Sequence, residues 1–81
     1  MLPHGCNTYL ENFKERGITK RQLEVISLIM EGWSNNAIAA HLCIETASVI
    51  ANLTKIYKTL PEVRKPKRLN LVLLAQRGGK A

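Results

Sequence analysis

Apolar residues recur at helical intervals along most of this chain, and the clearest case spans residues 34–60, SNNAIAAHLCIETASVIANLTKIYKTL. Ser34 is a favoured N-cap, and Ile38, Ala39 and Leu42 behind it share one apolar face. Cys43-Ile44-Glu45 leaves room only for a sharp corner. Beyond it Val49, Ile56 and Leu60 return at helical spacing, with Leu53 filling the stripe. A short helix over 34–42, a tight turn and a longer helix over 46–60 form the pattern of a helix-turn-helix. The second helix of such a pair can enter a DNA groove.

The flanking sequence follows the same period. Met1 to Gly5 reads as disordered or adaptable, and Thr8-x-x-Glu11 has the form of a capping box. A short accessory helix is predicted over 8–16, with Leu10 and Phe13 on one face and Gly17 ending it. Thr19-x-x-Gln22 is a second capping box, with Ile18 stapling onto Leu23. Leu23, Ile26, Ile29 and Met30 form its buried face, which Val25 and Leu28 widen, and Gly32 ends the helix. Trp33 is expected to pack over the helix junction. Pro61 closes the 46–60 helix, and the chain is extended around Pro66. A last helix over 67–77 stops at Gly78-Gly79. Its apolar residues Leu69, Leu71, Val72, Leu73, Leu74 and Ala75 cover more than one face. One face can dock on the core; the remainder calls for a second partner, most simply a twin subunit.

Length confines these helices to one small all-α domain, since 81 residues support a helical core but no roomy active site. No apolar run approaches the roughly 18 residues that span a bilayer. The N-terminus has no signal-peptide core, so the expected location is cytoplasmic. A basic amphipathic membrane helix at the C-terminus is disfavoured by Gln76 and its short span, and no membrane partner is expected. The net charge of +6 is unevenly distributed. Residues 1–63 carry six basic and six acidic side chains, whereas residues 64–81 carry Arg64, Lys65, Lys67, Arg68, Arg77 and Lys80 with no acid. The RKPKR run therefore points to a polyanion, most simply nucleic acid phosphate.

Other chemistry finds little support. His4-x-Cys6 and His41-x-Cys43 offer four metal-ligating side chains, but at a spacing that matches no common finger. Cys43 is expected as a small buried hydrophobe and His41 as a solvent-facing group at a helix end, and Cys6 and Cys43 form no disulfide framework. No Ser/His/Asp or Cys/His arrangement and no phosphate-cradling glycine loop is readable. No enzyme, cofactor, metal or small-molecule substrate is expected. Tyr9, Trp33 and Tyr57 are too few for a base-stacking platform.

Residues 18–77 resemble the DNA-binding domain of the LuxR-type (NarL/FixJ, GerE-like) bacterial transcription regulators. The family's Leu-Thr-x-Arg-Glu-x-Glu-Val opening is matched at Ile18, Thr19, Arg21, Glu24 and Val25. Its Gly-x-Ser-Asn-x-x-Ile-Ala-x-x-Leu block is matched at Gly32, Ser34, Asn35, Ile38, Ala39 and Leu42. The resemblance implies a four-helix LuxR-type helix-turn-helix domain at 18–78. A short N-terminal accessory helix lies in the 1–17 extension, and 79–81 form a tail. It also implies a third family helix in the major groove and a last helix that mediates dimerisation. Only 17 residues precede the resemblance, so no attached sensory domain is expected within this chain. The family's usual Thr-Val-Lys-x-His reads Ser48-Val49-Ile50-Ala51-Asn52 here. Ile50 and Thr54 stand where the family often carries lysines, Asn52 replaces the histidine, Glu45 replaces a serine or threonine cap, and Pro61 replaces a glycine.

The expected function is that of a sequence-specific transcription regulator binding double-stranded DNA as a homodimer. Candidate DNA-binding residues are Ala47, Ser48, Ile50, Ala51, Thr54, Lys55 and Lys58 on the 46–60 helix, with Arg64, Lys65, Lys67 and Arg68 on phosphates. Leu69, Val72, Leu73 and Gln76 are the candidate dimer contacts. The alternative is a helix-turn-helix module that binds a partner regulator or RNA polymerase without touching DNA. Its contact would be an exposed apolar patch of Ile50, Ala51 and Leu53 near Tyr57.

Overall fold

The computed structural model describes residues 5–78. Five helices follow one another: α1 (Gly5–Glu15), α2 (Lys20–Met30), α3 (Asn35–Leu42), α4 (Thr46–Thr59) and α5 (Lys67–Gln76). No strand occurs among the described residues. The all-α class and the four helices from 20 onward agree with the sequence reading. The expectations for Met1–His4 and for 79–81 lie outside the described residues.

Helix boundaries follow from local chemistry. At α2 the capping box is complete: the Gln22 N–H donates to Thr19 Oγ1 at 3.2 Å, and the Thr19 N–H donates to Gln22 Oε1 at 3.0 Å. Reciprocal bonding explains how Gln22 comes to be the one polar side chain, among the described residues, that is buried in the core. The first three helices stop in the same way. Gly17, Gly32 and Cys43 adopt left-handed backbone. The next residue in each case, Ile18, Trp33 or Ile44, returns its N–H to the carbonyl of Phe13, Leu28 or Ala39 at 3.0–3.1 Å. Each returning residue is apolar and packs on the core. The stop therefore fixes where the chain re-enters the interior.

α2 lies at the centre, in contact with α1, α4 and α5, while α3 packs on α4. Phe13, Val25, Ile26, Ile38, Val49, Ile56, Leu60 and Leu71 are fully enclosed. Val25, read as a flanking position, is thus central, and Met30, read as buried, is only partly covered.

α1 is longer than expected and begins at Gly5, so Thr8 lies inside the helix and does not cap it. Its inner face is set by Tyr9 and Phe13, one turn apart with ring centroids at 5.7 Å in an edge-to-face arrangement. Leu10, the expected partner of Phe13, is only partly buried. Polar ties complete the seat of α1. The Tyr9 hydroxyl and Ser27 Oγ share a hydrogen bond of 3.1 Å, and Asn12 Nδ2 donates to the Gly78 carbonyl. Arg16 forms a two-pronged ion pair with Glu62, one arm at 2.8 Å.

Candidate nucleic-acid interface

α3 and α4 form the corner predicted at 34–60, with the chain bending by 108° between them. Ser34 Oγ accepts from the Ala37 N–H at 3.1 Å to start α3. Cys43, at φ 58°, ends it. A strap then crosses the corner, as Thr46 Oγ1, on the first residue of α4, donates to Asn36 Oδ1 at 3.0 Å. Glu45 is the N-cap of α4 but its side chain makes no capping bond. With a weak start and the β-branched residues Val49, Ile50, Thr54 and Ile56 in its body, α4 depends on tertiary packing more than on intrinsic propensity. Val49, Leu53 and Ile56 supply that packing.

The opposite face of α4 is open. Ala47, Ser48, Ile50, Ala51, Thr54, Lys55 and Lys58 are all exposed, as the sequence reading placed them. Ile50, 51% exposed, is the one large apolar side chain of α4 exposed to solvent. Leu53 is buried at 7% exposure, so the expected patch of Ile50, Ala51 and Leu53 does not form. The spacing explains why: Leu53 lies four residues after Val49 and three before Ile56, on the inner stripe. Three polar side chains of this helix bond to its own backbone, Thr59 Oγ1 near its end donating to the Lys55 carbonyl at 3.0 Å. Asn52 Nδ2 donates to the Ser48 carbonyl at 2.9 Å, and Thr54 Oγ1 donates to the Ile50 carbonyl at 3.1 Å. Residues 46–59 contain no carboxylate.

The basic loop between α4 and α5 has two kinds of residue. Arg64, Lys65 and Lys67 are exposed. Lys67 Nζ sits 5.3 Å from the centre of the Tyr57 ring, so the end of the loop lies against α4. Burial raises the Tyr57 phenol above its ordinary pKa, an effect that nearby Arg68 partly offsets. Arg68 turns inward. Its guanidinium donates to Asn35 Oδ1 at 2.7 Å and to the Trp33 carbonyl, joining the start of α5 to the start of α3. Nothing in the charge run distinguishes Arg68 from its neighbours; only the folded geometry brings residues 33 and 68 together.

α5 buries Leu71, Leu74 and Ala75 and leaves Leu69 and Leu73 exposed at 56% and 39%. Val72 is half-buried and Gln76 exposed. The four candidate dimer contacts therefore lie on or beside the uncovered side of the helix. The other sequence candidates fall elsewhere. Cys43 is exposed, not buried, because the left-handed corner turns it outward from the α3 stripe. His41 stacks edge-to-face on Trp33 with ring centroids 4.9 Å apart. His4 lies outside the described residues, as does the Cys6 side chain. Among the described residues no three His, Cys, Asp or Glu side chains converge on a metal position, and no single helix is long and apolar enough to cross a membrane.

A model of bacterial regulatory proteins of the luxR family matches residues 16–62, from the residue that follows α1 through α4 and its exit. No curated protein and no solved structure matches the chain. The family match covers more than half of the 81 residues and includes the whole α3–corner–α4 unit, a LuxR-type DNA-binding helix-turn-helix. This chain belongs to the luxR family of bacterial regulatory proteins.

Proposed function

We propose that this protein is a sequence-specific transcription regulator that lays α4 in the major groove of double-stranded DNA. Two copies pair through Leu69, Val72, Leu73 and Gln76 of α5 and read paired half-sites. Ala47, Ser48, Ile50, Ala51 and Thr54 face the base edges. Lys55, Lys58, Arg64, Lys65 and Lys67 neutralise phosphates. The observation that carries this reading is the contact between Lys67 and Tyr57, which brings the basic loop beside an α4 face that has no carboxylate. Arg68, a candidate for the same role, is better employed in holding α5 to the helix-turn-helix.

Fluorescence anisotropy of a labelled generic duplex, titrated with the protein at two salt concentrations, tests the proposal. Five phosphate contacts per copy predict that log K falls with log salt at a slope of about −4.5 per bound copy. Absence of binding at low salt would falsify it. The exposed Ile50 supports a second reading, in which α4 docks in an apolar groove of a partner regulator or RNA polymerase. Under that reading Ile50→Lys abolishes capture of the partner, and no duplex is bound at any salt concentration.

A further inference from the structure

We infer that α4 distinguishes base sequences through thymine 5-methyl groups, with Ile50 as the specificity-determining residue. The inference rests on the major-groove reading above and adds what the helix recognises there. Residues near the start of a recognition helix meet base edges, while those further along diverge toward the backbone. In the first turns of α4 the outward positions are Ala47, Ser48, Ile50, Ala51 and Thr54. Reading guanine or adenine by hydrogen bonds calls for an arginine, lysine, asparagine or glutamine with free donors aimed outward. None of these five positions carries one. Ala47, Ile50 and Ala51 have no side-chain polar atom, and Thr54 has committed its hydroxyl proton to the Ile50 carbonyl. Asn52, the one amide on the helix, is half-buried and donates to the Ser48 carbonyl. Ser48 remains, and a single hydroxyl accepts or donates to any base pair. Lys55 and Lys58, which follow these five positions toward the end of the helix, are assigned to phosphates in the reading above.

What the helix does present is apolar and of low profile. Ile50 projects from between small neighbours, Ala47 one turn before it, Thr54 one turn after it and Ala51 next to it, so the backbone can approach closely with one aliphatic side chain leading. In the major groove the chemical partner of such a surface is the methyl group that only thymine carries. The absence of carboxylates from residues 46–59 leaves nothing on the helix to repel the flanking phosphates.

The experiment selects bound duplexes from a randomised pool and then remakes the preferred duplex with deoxyuridine in place of thymidine, which removes only the 5-methyl groups. Selected sites should be rich in thymine. Affinity should fall about three- to fourfold for each contacted methyl removed. In the Ile50→Ala protein the two duplexes should bind alike, with the salt dependence unchanged. Ile50 is exposed, so a circular-dichroism melt should confirm that the variant folds. Equal affinity of the normal protein for both duplexes, with steep salt dependence retained, overturns the inference and leaves the major-groove reading standing. A methyl effect that persists undiminished in Ile50→Ala overturns the role of Ile50. Failure to bind any duplex overturns the major-groove reading, and the inference with it.

Discussion

Cys43 holds the corner of the helix-turn-helix in left-handed backbone, where an L side chain costs about 1–2 kcal/mol and glycine escapes that strain. Its side chain is exposed, so little packing offsets that cost. Cys43→Gly should stabilise the fold by roughly 0.5–1 kcal/mol after allowing for the greater freedom of glycine in the unfolded chain, seen as a higher urea midpoint. The corner was partly legible. Gly17-Ile18 and Gly32-Trp33 announce a left-handed residue followed by an apolar one. Cys43-Ile44 repeats that order, but a cysteine beside two helices reads first as a small core residue. Arg68 was not legible, because its partners Trp33 and Asn35 are more than thirty residues away. Lys65 and Arg68 should therefore behave differently when truncated. Lys65→Ala should leave stability within about 0.5 kcal/mol and reduce the magnitude of the salt slope by about 1. Arg68→Ala should cost about 1.5–3 kcal/mol in urea unfolding, because two hydrogen bonds from a charged donor are lost.

At the scale of the element, α2 was readable from a cap, a stripe and a stop, α3 from its Ser34 cap and its stripe, and α4 from its stripe and the Pro61 stop. α1 was readable only as a helix. Choosing Leu10 over Tyr9 as the partner of Phe13 rotated its inner face by about 50°, since spacings of three and four are both helical. The family match begins at residue 16, yet Phe13 is wholly enclosed and belongs to the same core as Ile26 and Leu71. Phe13→Ala should cost about 3–5 kcal/mol, much of the stability expected for a domain of this size, and calorimetry should show a broad, low transition. If the variant melts like the parent, α1 is an appendage. The Arg16–Glu62 pair adds a pH-dependent component. Its hydrogen bond from Arg16 holds the Glu62 carboxyl below the usual carboxylate range. A depressed folded-state pKa gives stability that is present above the unfolded-state value and is lost as pH falls through the folded one. The pair is about one-third exposed, so its contribution is small, about 0.5 kcal/mol. Glu62→Gln should lower the melting temperature slightly at pH 7, and the two proteins should converge as pH falls through the depressed folded-state pKa of Glu62.

For the whole molecule, the uneven charge and the open face of α5 bear on the same question. Residues 64–81 hold the entire net excess of six positive charges, and α5 carries two exposed leucines next to that charge. A surface needed only for solubility would not place Leu69 and Leu73 on the open side of a helix whose inner side is already filled by Leu71, Leu74 and Ala75. Pairing two copies there would bring two basic loops and two α4 helices onto one duplex. The second copy then binds at high local concentration, and the salt slope doubles. Both exposed leucines can be changed without touching the core, which makes the test clean. In Leu69→Glu/Leu73→Glu the melting temperature should change little, while sedimentation at tens of micromolar should shift from dimer to monomer. The salt slope on a two-half-site duplex should fall to about half, and affinity should drop by more than tenfold at fixed salt, because each copy must then bind alone. A parent protein that sediments as a monomer throughout, with the same slope as the variant, would mean that α5 is uncovered for some other partner. DNA reading would then rest on one α4 and one basic loop.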